Sequence, residues 1–532
     1  GLVSTWAYDG LGRLESERLP GMASARTVTY AHGLSPSLAD AGGDGLEEHT
    51  LTEPDGGVWT TLYDFAGRPV WQDFPDATAE QRLYEGPRLH RTVYWDCAGS
   101  TCAEEAAEER VYDGLGRLHE VWGPSAPVLP GFGEALTRTT WSDAGRRLRI
   151  EDGLGQGTDF DWEDGLLVEE HVEGVYRKTF VYEGLAPWLR EEHTDAVSGS
   201  VTPRLTTYTR DALGRVTLQE TARGTDVLTA AFDNFDPYGT PRYLASFDDG
   251  SEVVREERTI DSRGRISTAT RSVEESLYGT AIYGWTGNGR LHHLEHEWAD
   301  STGRAVSYTR DSEGQVMSVS EGTSVLAEVD DRDAMGRMTE LTLLDGVVTT
   351  LSWDQRGRPT GLTVDVPGVG VQARSYAWDA RGRLEERIID SAGTVYGYAE
   401  PGWLTDETGP SGTFTYEYDA AGNRVSTDDG TTVTDFDYAT GNRLVAVDSD
   451  ALTWDGLGGV VEDQRGYEFE RLPDGRAWGV RAPGGDLVAE LLRDAEGLPV
   501  RRYPASGPSS TRVWGNPMGA WPLAGDDGGE RR

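Results

Sequence analysis

The sequence predicts an all-β protein built as a long antiparallel meander of hairpins, and three observations carry that reading. A phrase of the form aromatic–Asp–x–x–Gly–Arg recurs along the 532 residues. From residue 211 on, its copies fall at positions 211, 236, 261, 286 and 311, each 25 apart, and then at 333, 354 and 379. Between copies, apolar and polar residues alternate with the period of a strand, and no long helical period interrupts them.

The phrase reads as a hairpin turn. Its strict form begins at Asp9, Asp64, Asp113, Asp211, Asp261, Asp300, Asp333, Asp354 and Asp379. Looser copies begin at Asp152, Asp236, Asp311, Asp419, Asp455 and Asp494, and Ser142 and Thr286 take the Asp place in two more. A side-chain carboxylate at the first turn position accepts from backbone N–H groups further along the turn. The glycine (Gly12, Gly67, Gly116, Gly214, Gly264, Gly336, Gly357, Gly382, Gly422) supplies the left-handed backbone of a type I turn followed by a bulge. An aromatic such as Tyr8, Tyr63, Tyr112, Trp353, Trp378, Tyr418 or Trp454 ends the strand before the turn. The Arg or Asn after the glycine, and the apolar residue that follows, begin the next strand.

A second turn lies between copies. In "DAMGRMTELTLLDGVVTTLSWDQRGR", two strands flank Asp345-Gly346, a dipeptide of the kind that favours two-residue hairpin loops. Leu341, Leu343, Val347, Leu351 and Trp353 share one parity, and Glu340, Thr342, Val348, Thr350 and Ser352 the other. One sheet face is therefore apolar and the other mostly polar. The phrase marks one edge of the sheet and the acidic–Gly turn marks the other.

The expected organisation is one repeat region, residues 1–515, followed by a Pro/Gly-rich tail, 516–532, that leads to a missing C-terminal region. Within the repeat region, 1–210 is irregular, with insertions such as "HGLSPSLADAGGDGLEE" and "GPSAPVLPGFGEA", and 211–500 is regular. Residue 1 is Gly rather than Met, so an internal piece of a larger protein is expected and a signal peptide stays an open question.

Charge excludes some functions. There are 91 Asp and Glu against 49 Lys and Arg, a formal net charge of −42. Such a surface offers nothing to neutralise phosphate, which argues against nucleic acid as a partner, and it keeps exposed sheet edges from joining. No long apolar run is present, so no membrane insertion is expected in this segment. Cys97 and Cys102, the two cysteines, make a short-loop disulfide one reading, with free thiols or half of a metal site as the others. A four-thiolate zinc site would need two more.

The "YDGLGRL" and "YDAAGNR" strings resemble the YD repeats of Rhs proteins, relatives of the shells of ABC insecticidal toxins, of wall-associated proteins and of teneurins. The resemblance runs from Tyr8 to about Trp514. It implies a hollow, cocoon-like β-shell, complete or incomplete, whose strip of hairpins spirals around a cavity. In toxin members the cavity encloses a C-terminal effector. Members with cargo end in a "DPxGL"-like string whose aspartates carry out self-cleavage. Here "DPYG" at 236–239 is a repeat turn instead, since further copies follow it.

Other chemistry finds little support. His292, His293, Glu295 and His296 form the sharpest polar cluster, but strand alternation puts His292 and His296 on one face and His293 and Glu295 on the other. Catalytic carboxylate pairs are indistinguishable from turn aspartates, and the Asp–Gly strings lack a calcium loop's spacing. No phosphate-cradling loop or nucleophile elbow occurs. The Trp-Asp pairs suggest a propeller, but a blade takes about 40 residues. The expectation is a structural, non-catalytic wall without cofactor, secreted or at a bacterial cell surface. Its expected partner is a C-terminal effector, another polypeptide cargo or the rest of the same larger protein. The alternative is an adhesion module that grips glycan or protein through exposed Trp and Tyr.

Overall fold

The computed structural model describes residues 4–19, 22, 24–32, 47–98, 101–123, 135–184, 187–197, 201–299, 301–312, 314–399, 402–496, 498–504, 510–514 and 523–526. Most of the two named insertions, and the expected tail apart from Leu523–Asp526, lie outside them. Among the described residues there are 47 strands and no helix. The first 39 form one antiparallel sheet and the last eight, from Thr453–Trp454 onward, form a second. Each strand pairs with its sequence neighbour, as Arg204–Arg210 does with Val216–Arg223 and Ser251–Ile260 with Ile266–Val273. The expected all-β antiparallel meander is the observed fold, and the sheet is open rather than closed into a barrel.

The turns at the two edges differ in kind. At the phrase, Asp354 N–H donates to the Arg358 carbonyl at 2.9 Å and Gly357 N–H to the Asp354 carbonyl at 3.1 Å, with Gly357 at φ 83°. This is the type I turn with a glycine bulge. The other edge holds true two-residue loops: both residues are left-handed at Asp164-Gly165, Asp249-Gly250 and Glu274-Glu275. Their twist matches that of the flanking strands.

Two local expectations are corrected. Asp345-Gly346 does not form a two-residue loop. Leu343 N–H donates to Val347 O, and only Gly346 is left-handed, so Leu344 joins a three-residue loop. Leu344 N–H donates to Leu326 O of the neighbouring hairpin at 2.9 Å, as Asp249 N–H does to Val227 O at a two-residue loop. The strict string that begins at Asp300, itself outside the described residues, is also not continued as a repeat turn. Ser301 takes the left-handed position, its N–H donating to Trp298 O, and Gly303 already opens the strand Gly303–Arg310. That string sits midway between the copies at 286 and 311, so it falls at the opposite edge.

The chain divides into two compact units, residues 1–139, 152–154 and 307–433 in one and 140–151, 155–306 and 434–532 in the other. In the first, Leu62, Trp71 and Ala79 are buried, with Val70, Trp95 and Cys97 packed around them and the Trp71 and Trp95 rings 6.0 Å apart. Most other strand residues are half-buried, because one layer of sheet cannot bury both of its faces. Such a layer depends on cross-strand pairs and on its turns rather than on a thick core. In the second unit, Ile266, Ala281, Tyr283 and Leu294 make the main buried cluster. There the strand Ser251–Ile260 touches Leu487–Arg493 of the second sheet, and Leu244, Ala245 and Val254 are buried.

Candidate functional site

The recurring chemistry lies in the turn itself. Asp354 Oδ1 accepts from Arg356 N–H at 2.9 Å and Arg358 N–H at 2.8 Å, and Oδ2 accepts from Arg358 Nε at 2.6 Å. The same Arg-to-Asp pairing holds at Asp9, Asp64, Asp113, Asp211, Asp261, Asp333 and Asp379. At Asp419 an asparagine serves, Asn423 Nδ2 donating at 2.9 Å. The backbone and side chain of Arg117 hold the Asp113 carboxyl down to about 2, and the side chain and backbone of Arg265 hold Asp261 there as well. Each carboxylate is therefore fully engaged in closing its own loop.

The arginine also joins one copy to the next. Arg265 lies over the Trp285 ring, Arg337 over Trp353, Arg358 over Trp378 and Arg383 over Tyr398, at 4.7 to 5.9 Å. The far end of each ring then donates to the carbonyl just after that arginine: Trp285 to Ile266 O, Trp353 to Met338 O, Trp378 to Pro359 O and Tyr398 to Leu384 O, at 2.8 to 2.9 Å. Where the residue before Asp is itself arginine, it takes over this bond, as Arg332 Nη2 does to Val316 O and Arg210 Nη2 to Leu189 O. The pairing of Arg with Asp and the donor role of the ring were not read from the sequence. Their signal was present: the residue after Gly is Arg in every strict copy and Gln or Asn in three looser ones, and the quoted aromatics are always Tyr or Trp.

In the first unit these turns also dock on a much earlier part of the chain. Arg337 Nη2 pairs with Asp55 Oδ2 at 3.0 Å, Arg358 Nη2 with Asp76 Oδ2 at 2.6 Å and Arg383 Nη2 with Glu105 Oε1 at 3.1 Å. These partners lie 282, 282 and 278 residues apart in sequence. Arg356 adds a bond to Asp76 and lies over the Phe74 ring at 4.2 Å. Burial pushes the Asp76 carboxyl up, but Thr78 and Arg356 outweigh it and hold it below the usual range. At Glu105 burial wins and the carboxyl is raised. Asp55 and Asp76 sit in the Pro-Asp turns "EPDGG" and "FPDAT", which sequence reading left unassigned.

The second unit holds a buried charged cluster. Glu256 accepts from Arg258 Nε at 2.5 Å and from Arg271 Nη2, while Asp494 Oδ2 lies 3.6 Å from Arg271 Nη2. Burial opposes charge on Glu256, yet the two guanidinium groups keep its carboxyl below the ordinary range. Asp494, farther from its cation, is raised by burial. Burial pushes Tyr283 beside them up to about 12. A neighbouring cavity of about 70 Å³ is lined by Thr221, Leu228, Ser246, Trp478 and Leu492 among others.

Cys97 and Cys102 face each other across the pair Arg88–Ala98 and Thr101–Tyr112, joined by a disulfide with Cα atoms 4.0 Å apart. The histidine cluster lies on the strand Leu291–Trp298 and does not converge. His296 stacks on Trp298 at 4.1 Å and meets Thr280 O, whereas His293 Nε2 lies 3.5 Å from Glu295. Among the described residues no group of three or more His, Cys, Asp or Glu is placed to hold a metal ion. No helix is long and apolar enough to cross a membrane.

An open antiparallel sheet whose edge is a ladder of Asp–Arg turns, several of them roofed by the next copy's aromatic, is the arrangement that a YD repeat implies. Residues 402–434 match the RHS Repeat family model. No curated protein sequence matches the chain. Among solved structures it is similar to the Photorhabdus luminescens Tc holotoxin pore (TM-score 0.56, 13% identity, 96% of this chain and 30% of that one). It is also similar to the TcdB2–TccC3 structure (TM-score 0.57, 14% identity, 96% and 31%) and to TcdB2–TccC3–Cdc42 (0.56, 14%, 96% and 30%). The chain spans about 30% of the length of the solved chains it matches. The family match covers one repeat, and the solved structures share the fold over nearly the whole chain.

Proposed function

We propose that the chain is a wall segment of a secreted or surface-exposed bacterial Rhs-like protein. Its role is structural: it isolates a polypeptide, such as a C-terminal effector, until delivery. The observation that carries this reading is the seam in the first unit, where Arg337, Arg358 and Arg383 fasten one pass of hairpins onto another about 280 residues earlier. A strip fastened to itself in this way leaves few backbone openings for a protease. The two aspartates of the Pro-Asp turns make the fastening specific to register.

The test is limited proteolysis of the full-length gene product against its downstream segment expressed alone. The expected result is that the segment within the whole protein survives protease levels that destroy the free segment. Equal digestion of both overturns encapsulation. A second reading, adhesion, rests on Trp6 and Tyr8, which are 52% and 61% exposed two residues apart on the strand Thr5–Tyr8. It expects Trp6→Ala to abolish retention on a glycan array or on intact cells while proteolytic protection stays unchanged.

A further inference from the structure

In three hairpins of the edge opposite the phrase, a bulge is followed by two residue pairs before the loop. Phe247 faces Glu252 and Asp248 faces Ser251 in one, Ser272 faces Leu277 and Val273 faces Ser276 in the next, and Ser320 faces Val325 and Glu321 faces Ser324 in the third. The hairpin of Arg88–Ala98 and Thr101–Tyr112 has four pairs there: Trp95 with Glu104, Asp96 with Ala103, Cys97 with Cys102 and Ala98 with Thr101. Its bulge lies between Tyr94, which faces Ala106, and Trp95, so Glu105 is the residue left over. Glu105 is also the carboxylate that meets Arg383. At Asp55 and Asp76 the seam carboxylate sits in a turn; here a bulge supplies it.

The strand's own pattern does not fix that bulge. Residues 103–109 read Ala-Glu-Glu-Ala-Ala-Glu-Glu, without the alternation that assigns each residue to one face. Cys97 is held by its neighbours: its N–H donates to Ala77 O at 2.9 Å and it packs against Leu62, Trp71 and Ala79. Cys102 is exposed, and its disulfide to Cys97 ties the later strand to that anchor. We propose that the Cys97–Cys102 disulfide is a reducible register lock: it holds the bulge that brings Glu105 to Arg383, and a dithiol reductant releases that point of the seam. One thiolate of the reductant attacks Sγ of Cys102, the S–S bond breaks, and Cys97 leaves as a thiolate that takes up a proton. The reductant's second thiol then closes its own disulfide and frees Cys102 as a thiol, so the dithiol supplies both electrons. The bulge is then free to move along the strand, which takes Glu105 out of line with Arg383 and uncovers the turn from Asp379. The pairs at Asp55 and Asp76 stay closed, because their turns hold no cysteine. The lock belongs to the wall and does not depend on what the wall encloses.

The experiment treats the purified full-length protein with dithiothreitol under native conditions, counts thiols by alkylation and mass spectrometry, and then applies a brief trypsin digest. Both cysteines are expected to become alkylated, and cutting after Arg381 or Arg383 to rise about tenfold, the effect of losing one charged hydrogen bond on an open state that the protease samples. Cutting after Arg337 and Arg356 is expected to stay as it was. Thiols that remain unreactive, an opened disulfide with unchanged cutting after Arg381 and Arg383, or an equal rise at all four sites overturns the proposal. Glu105→Gln, with the disulfide intact, is expected to be cut at the same place without reductant and to gain nothing further from dithiothreitol. A second rise on reduction of that variant would show that the disulfide does not act through Glu105, and overturns the proposal as well.

Discussion

Asp354 closes its loop through its backbone and both carboxylate oxygens at once. Asp354→Ala strips all of the side-chain bonds and is expected to cost about 1–3 kcal/mol locally, read as faster hydrogen exchange at Arg356 and Arg358. Asp354→Asn, which keeps the Oδ1 acceptor, should cost less. Acid acts on the same bonds. Asp113 and Asp261 are held at about 2 against an ordinary value of 3.8. Their stabilisation is complete above the ordinary value and is lost as pH falls through about 2. Glu53, Glu105 and Asp494 are raised by burial, so they burden the fold at neutral pH and are relieved by mild acid. A thermal midpoint followed by scanning fluorimetry should therefore hold from pH 7 to 5 and drop from 4 to 2. The Asp and Gly of the turn were legible because their work is local. The arginine's was not, because one residue serves its own turn, the next copy's ring and, at Arg358, a carboxylate far away in sequence.

Between neighbouring hairpins the ring's polar end carries the connection. Tyr398→Phe keeps the ring over Arg383 but deletes the bond to Leu384 O, and should cost about 1 kcal/mol, measurable by exchange along Leu384–Ile389. In the second unit the charged cluster separates two carboxylates that look alike in sequence. Glu256→Gln leaves Arg258 and Arg271 buried with a neutral partner and should destabilise by about 3 kcal/mol. Asp494→Asn removes a carboxylate that burial already disfavours, retains the Oδ1 acceptor for Glu496 and Leu498, and should be close to neutral in the same denaturation experiment. Strand existence and spacing could be read from alternation, since side-chain period is a property of the strand alone. Loop length could not. Asp249-Gly250 and Asp345-Gly346 are the same dipeptide, both loops bond to the adjoining hairpin, at Val227 O and Leu326 O, and nothing in the structure explains the extra residue of the second. Asp300 misled for a related reason: the five letters match, but their place in the repeat puts them at the wrong edge.

At the scale of the whole molecule, the seam of the first unit is the feature that local reading could not reach. Its pairs are ordinary Arg–Asp and Arg–Glu pairs about 280 residues apart, and no spacing rule marks them. Resemblance to YD-repeat proteins led to the expectation of a strip that winds, but gave none of the residues that fasten it. Asp76→Ala removes the acceptor shared by Arg356 and Arg358 and should expose that turn. Trypsin is expected to cut after Arg356 in the variant under conditions that leave the parent chain intact, and an unchanged fragment pattern would count against the seam. Within the unit, backbone ladders run from strand to strand, whereas the seam pairs described above are made through side chains. The unit's mechanical response should therefore depend on direction. A pull that shears strand past strand loads many backbone bonds together, while a pull across the seam loads Asp55, Asp76 and Glu105 one after another, so the fabric tears most easily along that line and leaves the ribbons on either side whole.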